Sequence, residues 1–230
     1  MRSATLYALL MALLLAPAAG WAAVPATALL RAPEVALGSP TRLPKWRRVL
    51  ESLDQEEAAL RACLADARAC EGARERAWRQ TVRATSGLPL GQQLEAINRF
   101  VNASPYRSDS ELWGASDYWA TPREFLARSG DCEDYAIAKY ATLRLLGIPE
   151  GAMRLVVLHD TRRNFVHAVL VVADGPRRWV LDNLSDRVLP EETLPHYRPY
   201  YSVNAEGLWR PATPGRGLVL DERDLRPARR

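Results

Sequence analysis

Apolar residues recur at helical spacing through the first half of this chain and at strand spacing through the second. Trp46, Val49, Leu50, Leu53, Leu60 and Leu64 stand three, four or seven apart among charged residues, the stripe of an amphipathic helix. A second helix is expected over residues 71–84, with Trp78 and Val82 on its inner face, and a third over residues 90–102, with Leu94, Ile97 and Val101 on one side. Asn102-Ala103-Ser104-Pro105 closes the third, because the residue before a proline is pushed out of the α region. Thr121-Pro122-Arg123-Glu124 is a helix start: Thr caps, Pro suits the first helical position and Glu reaches back from the third. That helix ends by Gly130. Asp131 then caps another over residues 132–146, stopped by Gly147 with Pro149 behind it.

After Gly151 the pattern changes. Residues 153–158, 165–172 and 179–182 are short, β-branched and aromatic runs, separated by Asp160-Thr161-Arg162-Arg163-Asn164 and by Asp174-Gly175. They predict antiparallel strands joined by hairpins. Helices followed by strands give an α+β fold. No internal repeat is present.

The ends read differently. Residues 6–15 are almost wholly apolar behind Met1-Arg2, and small residues follow through Ala22. About 10 apolar residues fall short of the roughly 20 that span a bilayer, so a cleaved export signal over residues 1–22 is expected, with a retained anchor as the alternative. Residues 23–44, rich in Pro and Ala, predict a mobile leader. From residue 207 to 230 Pro, Gly and Arg dominate, and a loosely held tail is expected. Between them, residues 45–206 form the expected domain.

Composition adds exclusions. Of 230 residues 48% are hydrophobic and 25% charged, which leaves disordered and collagenous classes aside. Thirty-one basic residues oppose 27 acidic ones for a net charge of +4, scattered without the basic stripe of a nucleic-acid binder. Three cysteines in an exported chain leave at least one thiol without an internal partner. On one continuous helix Cys63 and Cys70 would lie about 10 Å apart, too far to bridge. A break near Asp66-Ala67-Arg68 would let them meet across a corner, and Cys132 would then be the unpaired thiol.

Cys132 sits in the first turn of its helix, where free N–H groups and the helix dipole favour a thiolate. His167 lies in Phe165-Val166-His167-Ala168-Val169 and shares a strand face with Phe165, Val169 and Val171. His159, at the start of a hairpin turn, and His196, in a Pro-flanked loop, are expected in solvent. If Asp174-Gly175 is a two-residue turn, opposed residue numbers sum to 349 and His167 faces Asp182; with a four-residue loop the sum is 351 and the two are diagonal neighbours on one face. Either register lets Asp182 orient the imidazole. Cys132, His167 and Asp182 thus make a nucleophile, a base and an orienting acid for attack on a carbonyl. Trp113, Tyr118 and Trp119 are candidates for the other side of the oxyanion site. Asp131, Glu133 and Asp134 crowd the thiol with negative charge that opposes its ionisation, and a hard cation such as Ca²⁺ would compensate them. The spacing is not that of an EF-hand, and no paired Cys or His set suggests zinc.

The block Gly130-Asp-Cys-Glu-Asp-Tyr-Ala-Ile-Ala-Lys139-Tyr-Ala-Thr-Leu-Arg144-Leu-Leu-Gly-Ile-Pro149 closely resembles the signature of the bacterial transglutaminase-like cysteine proteinases, the LapG family. Asp117-Tyr-Trp-Ala-Thr-Pro122, His167-Ala-Val-Leu170 and Leu181-Asp-Asn183 continue the resemblance across roughly residues 45–200. It implies a papain-like, transglutaminase-like core with the cysteine at a helix start, packed on an antiparallel sheet that carries the His and Asp. It also implies a periplasmic endopeptidase with Cys132, His167 and Asp182 as its triad. Such enzymes cut the N-terminal region of a large surface adhesin at a di-alanine sequence and so release cells from a biofilm. The family's calcium would be held here by Asp131 and Glu133, with Asp134 as a third acid. Its partner is the periplasmic domain of an inner-membrane cyclic di-GMP receptor. The rival readings are a transglutaminase joining Gln to an amine and a binding module without catalysis.

Overall fold

The structure is a computed structural model that describes residues 28–212, so the expected export signal and the end of the tail lie outside the described residues. Strand β1 (Glu34–Gly38) comes first and six helices follow: α1 (Pro44–Ala65), α2 (Gly72–Thr85), α3 (Leu90–Asn102), α4 (Asp109–Leu112), α5 (Pro122–Arg128) and α6 (Cys132–Leu145). Then come β2 (Met153–Asp160), β3 (Phe165–Asp174), β4 (Arg177–Asp182), β5 (Ser185–Pro190), β6 (Tyr197–Val203) and β7 (Leu208–Pro211). The seven strands form one sheet in the order β1-β7-β6-β2-β3-β4-β5, with every pair antiparallel.

The helices pack on one sheet face. Trp46, Val49, Leu53 and Leu60 of α1, Leu94 and Ile97 of α3 and Ile137 and Leu143 of α6 share a core with Leu155, Val157, Leu170, Val172 and Val203 of the sheet. Trp46 anchors this core: its indole N–H donates to the Asn204 carbonyl at 2.9 Å, and its ring meets Tyr140 edge-on at 5.3 Å. Every residue of α6 from Cys132 to Leu143 is buried. A helix enclosed on all sides carries little amphipathic signal, so its capping residues, more than its period, define it in the sequence. The Thr121–Glu124 capping box forms, with the Thr121 N–H donating to Glu124 Oε2 at 2.8 Å.

At the end of α1, Asp66 Oδ1 accepts from the Arg68 N–H at 2.9 Å and turns the chain. Cys63 and Cys70 meet there as a disulfide with Cα atoms 4.5 Å apart, and Cys132 is the one free cysteine.

Four strands were not legible in the pattern, and two of them lie in the expected leader and tail. β1, inside the stretch read as leader, pairs with β7, inside the stretch read as tail. Glu34 locks this edge: its carboxylate accepts from Arg154 Nη1 at 2.9 Å and from the Ser202 hydroxyl at 2.8 Å, while Trp209 lies against the Arg154 guanidinium at 3.5 Å. Leu29 and Leu30 close a second core on the far face of the sheet, with Val156, Leu158, Val169 and Val171. β6 was hidden by Pro199, which the sheet accepts where the β2–β6 register shifts between Val157 and Leu158, since proline inside sheets sits at bulges and edges. β5 is an edge strand whose first half, Ser185-Asp186-Arg187, is polar. His159 is also placed differently from the expected turn: it lies inside β2, opposite Val166 and Arg198.

Candidate functional site

The β3–β4 hairpin sets the first half of the site. Its strands pair as Leu170 with Leu181 and Asp174 with Arg177, a sum of 351. That is the second of the two registers considered from sequence, closed by the two-residue turn Gly175-Pro176 in place of a four-residue loop. Gly175 has φ +58°, and proline fixes a negative φ after it, the combination that closes a two-residue hairpin with glycine first. His167 and Asp182 are therefore diagonal neighbours, with His167 Nε2 2.8 Å from Asp182 Oδ1. Asp182 also accepts from the Leu184 N–H at 2.9 Å and from the Tyr197 hydroxyl. Burial alone would raise the Asp182 carboxyl, but the His167 ring and these two donors outweigh it and hold the group at about 2. An ionised Asp182 only accepts, so His167 donates to it from Nε2 and presents Nδ1 on the other side of the ring. Nδ1 is buried and has no hydrogen-bond partner.

Cys132 opens α6, which packs against β3. Its sulfur lies at the Ala168 N–H, one residue beyond His167. The thiol donates to Glu133 Oε2 at 3.1 Å, and it is not hydrogen-bonded to His167. Burial pushes this thiol well above its usual range; the charges of Glu133 and Asp131 push it further, and the Ala168 N–H opposes them. The structure thus joins His167 to Asp182 directly and brings Cys132 against the same strand.

The acids around the thiol are more numerous than the three expected. Asp131, Glu133 and Asp134 converge with Asp109 of α4 and Asp117 of the following loop, in overlapping sets whose ligand atoms lie within 4.8 Å of one another. Asp134 is the scaffold of the group, its oxygens accepting from the Ala120 N–H at 2.6 Å and the Asp131 N–H at 3.1 Å. A side chain at Gly130 would put its Cβ 2.1 Å from Asp134 Oδ2, so only glycine lets that carboxylate sit there. Asp109 Oδ1, Asp117 Oδ1 and Asp131 Oδ1 are buried without a partner. Burial drives Asp109 up to about 7, and burial with the Glu133 charge drives Asp131 up to about 12. Lys45, bonded to Asp117, is the cation paired to this group. Buried carboxylate oxygens with no donor, in a group of five acids that a single lysine pairs, fit a hard divalent cation. Asp109 was missed from sequence; Asp117 stood in the Asp-Tyr-Trp block without being assigned a role.

The aromatic candidates separate. Trp119 is buried in the helical core, and the Tyr118 hydroxyl donates to Glu124 at 2.8 Å. Trp113 stacks on Tyr118 and under Arg128, with its indole N–H unpaired. Tyr201, not singled out from sequence, points its phenol at the same acids: burial raises it, followed by the charges of Asp117, Glu133 and Cys132.

Among the solved structures similar to this chain are three of one Legionella protein. Calcium-bound LapG of Legionella pneumophila is 35% identical at TM-score 0.59, covering 72% of this chain and 95% of that one. EGTA-treated LapG of the same organism is 34% identical at TM-score 0.58, covering 72% and 91%. A third LapG structure is 35% identical at TM-score 0.57, covering 66% and 87%. No curated protein matches the chain. Residues 56–212 match the family of bacterial transglutaminase-like cysteine proteinases. With the papain-like, transglutaminase-like fold also shared, the chain belongs to the bacterial transglutaminase-like cysteine proteinases.

Proposed function

We propose that this protein is a calcium-dependent periplasmic endopeptidase that uses Cys132 as nucleophile, His167 as base and Asp182 as orienting acid. The observation that carries the reading is the His167–Asp182 hydrogen bond, which leaves a buried imidazole nitrogen free on the strand that meets the Cys132 sulfur. In the reaction His167 Nδ1 takes the thiol proton, the sulfur attacks a peptide carbonyl, and the protonated ring then gives its proton to the leaving amine. Water releases the acyl group. The Cys132 backbone N–H at the helix start is one donor to the oxyanion.

Asp109, Asp117, Asp131 and Glu133 would hold Ca²⁺, with Asp134 bracing them. A bound Ca²⁺ would supply positive charge beside a sulfur now surrounded by carboxylates. The calcium named for the similar Legionella protein supports this choice of ion. The substrate proposed is the N-terminal region of a large surface adhesin, cut at a di-alanine site to promote dispersal from a biofilm. Sequestration by the periplasmic domain of a cyclic di-GMP receptor would control it, and the apolar segment at residues 6–15 would direct export.

Cleavage of an adhesin N-terminal fragment with a di-alanine site tests the reading, comparing wild type and Cys132→Ala with Ca²⁺ or a chelator. Cutting by wild type alone, and only with Ca²⁺, is expected. A folded, calcium-loaded wild type that incorporates an amine into Gln and leaves the peptide intact would make it an acyltransferase instead.

A further inference from the structure

Asp182 is the last residue of β4, where a strand end would ordinarily fray, yet it is only 5% exposed. What holds it comes from α3. Asn98 and Asn102 lie one helical turn apart on the side of α3 that meets β5. Asn98 Nδ2 donates to the Ser185 carbonyl at 2.8 Å; Asn102 Nδ2 reaches the Asp182 carbonyl at 2.9 Å, the Ser185 carbonyl at 3.0 Å and Asp186 Oδ1 at 3.2 Å. The two amides grip the backbone on both sides of the Asn183-Leu184 turn. Asn98 is fully buried, and the Oδ1 atoms of both residues have no partner, so their donor side alone engages the protein. Two asparagines within a helix are poor formers that cost stability, and here the cost is spent on a single corner.

Lys139 of α6 is also buried. It is one of two lysines in the chain and only 1% exposed, and it makes no hydrogen bond or ion pair among the described residues. It lies two turns along α6 from Cys132, on a helix that packs against α3. Burial lowers its ammonium to about 7 against the pull of Asp182 and Asp186, the two charges that face it; on its own helix the Tyr135 ring lies 5.9 Å away.

We propose that Asn98 and Asn102 are positioning residues that fix the Asp182–Asp186 corner so that Asp182 Oδ1 stays on His167 Nε2. The inference rests on the catalytic roles proposed for Cys132, His167 and Asp182. Its first readout is independent of proteolysis: the low-field Nε2–H resonance of His167 in ¹⁵N-histidine-labelled full-length protein, assigned by its loss in His167→Gln. Asn102→Asp keeps the size and removes the donors, and should abolish the resonance. It should also lower kcat by about 10–100-fold with KM changed less than about 2-fold, and Asn102→Gln should recover part of the loss. Asn102→Ala removes the same donors without adding a charge and should lose the resonance and kcat in the same direction. A merely structural asparagine would lower Tm and leave the resonance and kcat of the folded protein unchanged. Loss of the resonance in a protein whose wild type cuts no peptide would keep the clamp and remove the protease reading. An intact resonance and kcat in folded Asn102→Asp and Asn102→Ala would overturn the clamp. If Asn102→Asp does not fold, Asn102→Ala decides alone.

Discussion

His167 and Asp182 meet diagonally across the β3–β4 hairpin, with 2.8 Å between Nε2 and Oδ1. The contact depends on the Gly175-Pro176 turn, because moving the register by one residue would send one of the two side chains to the opposite face.

This contact predicts a pH dependence of stability. Asp182 is held at about 2 in the folded chain against 3.8 for an ordinary aspartate. A carboxyl depressed by folding contributes stability above its unfolded value and loses it as pH falls through the folded one. The contribution, about 2 kcal/mol at neutral pH, should fade between about pH 5 and pH 2. Urea midpoints of wild type and Asp182→Asn should therefore differ at pH 7 and converge toward pH 2. A difference that stays constant with pH would assign the stabilisation to packing. The same variant should lose about two to four orders of magnitude in kcat, as the ring loses its tautomer and orientation.

Asp109 and Asp117 extend the expected calcium site beyond the Asp131-Cys132-Glu133-Asp134 run. Asp109→Asn and Asp117→Asn should each weaken Ca²⁺ binding by about 10-fold or more in calorimetry and shrink the rise in Tm that Ca²⁺ produces. Asp54→Asn, on the exposed side of α1, is the control and should change neither. If both buried variants bind Ca²⁺ like wild type, the ion sits elsewhere.

What was legible in the sequence was local. Caps and breakers marked the helix ends: Thr121 with Glu124, Pro105 after α3, Gly147 after α6. The proposed nucleophile and both partners of the histidine–acid pair could be named because a helix start and a two-residue strand period are read within a few positions. Contacts made over long separations were not. Glu34 needs Arg154 and Ser202 to be understood, and Asp109 needs Asp131. Pro199 concealed β6 because the bulge that tolerates it belongs to the pairing with β2.

The Cys63–Cys70 bridge closes a short loop, for which the chain-entropy account gives about 2–3 kcal/mol. Replacing both cysteines with Ala should lower unfolding stability by that amount without changing kcat, because the corner lies at the end of α1 and touches none of Cys132, His167 or Asp182. Non-reducing peptide mapping of the protein purified without reductant should recover the two cysteines in one linked species and Cys132 as a free thiol. Both found free would remove the bridge.

The Glu34–Arg154 pair makes the segment before α1 part of the folding unit. Both side chains are almost wholly buried. Burial raises the Glu34 carboxyl, while Arg154 and Ser202 oppose the rise, so the charged pair persists only because each member has the other. Truncating one member strands a charge in the interior, which costs about 3–5 kcal/mol. In a domain of this size that is a fall in Tm on the order of 10 °C. Glu34→Ala should show this fall, and the activity per folded molecule should remain, since β1 is separated from β3 by three intervening strands. Replacing the pair with Leu at 34 and Met at 154 should recover much of the loss, because the desolvated charges then go together. A Glu34→Ala protein as stable as wild type would return the segment to the status of a leader.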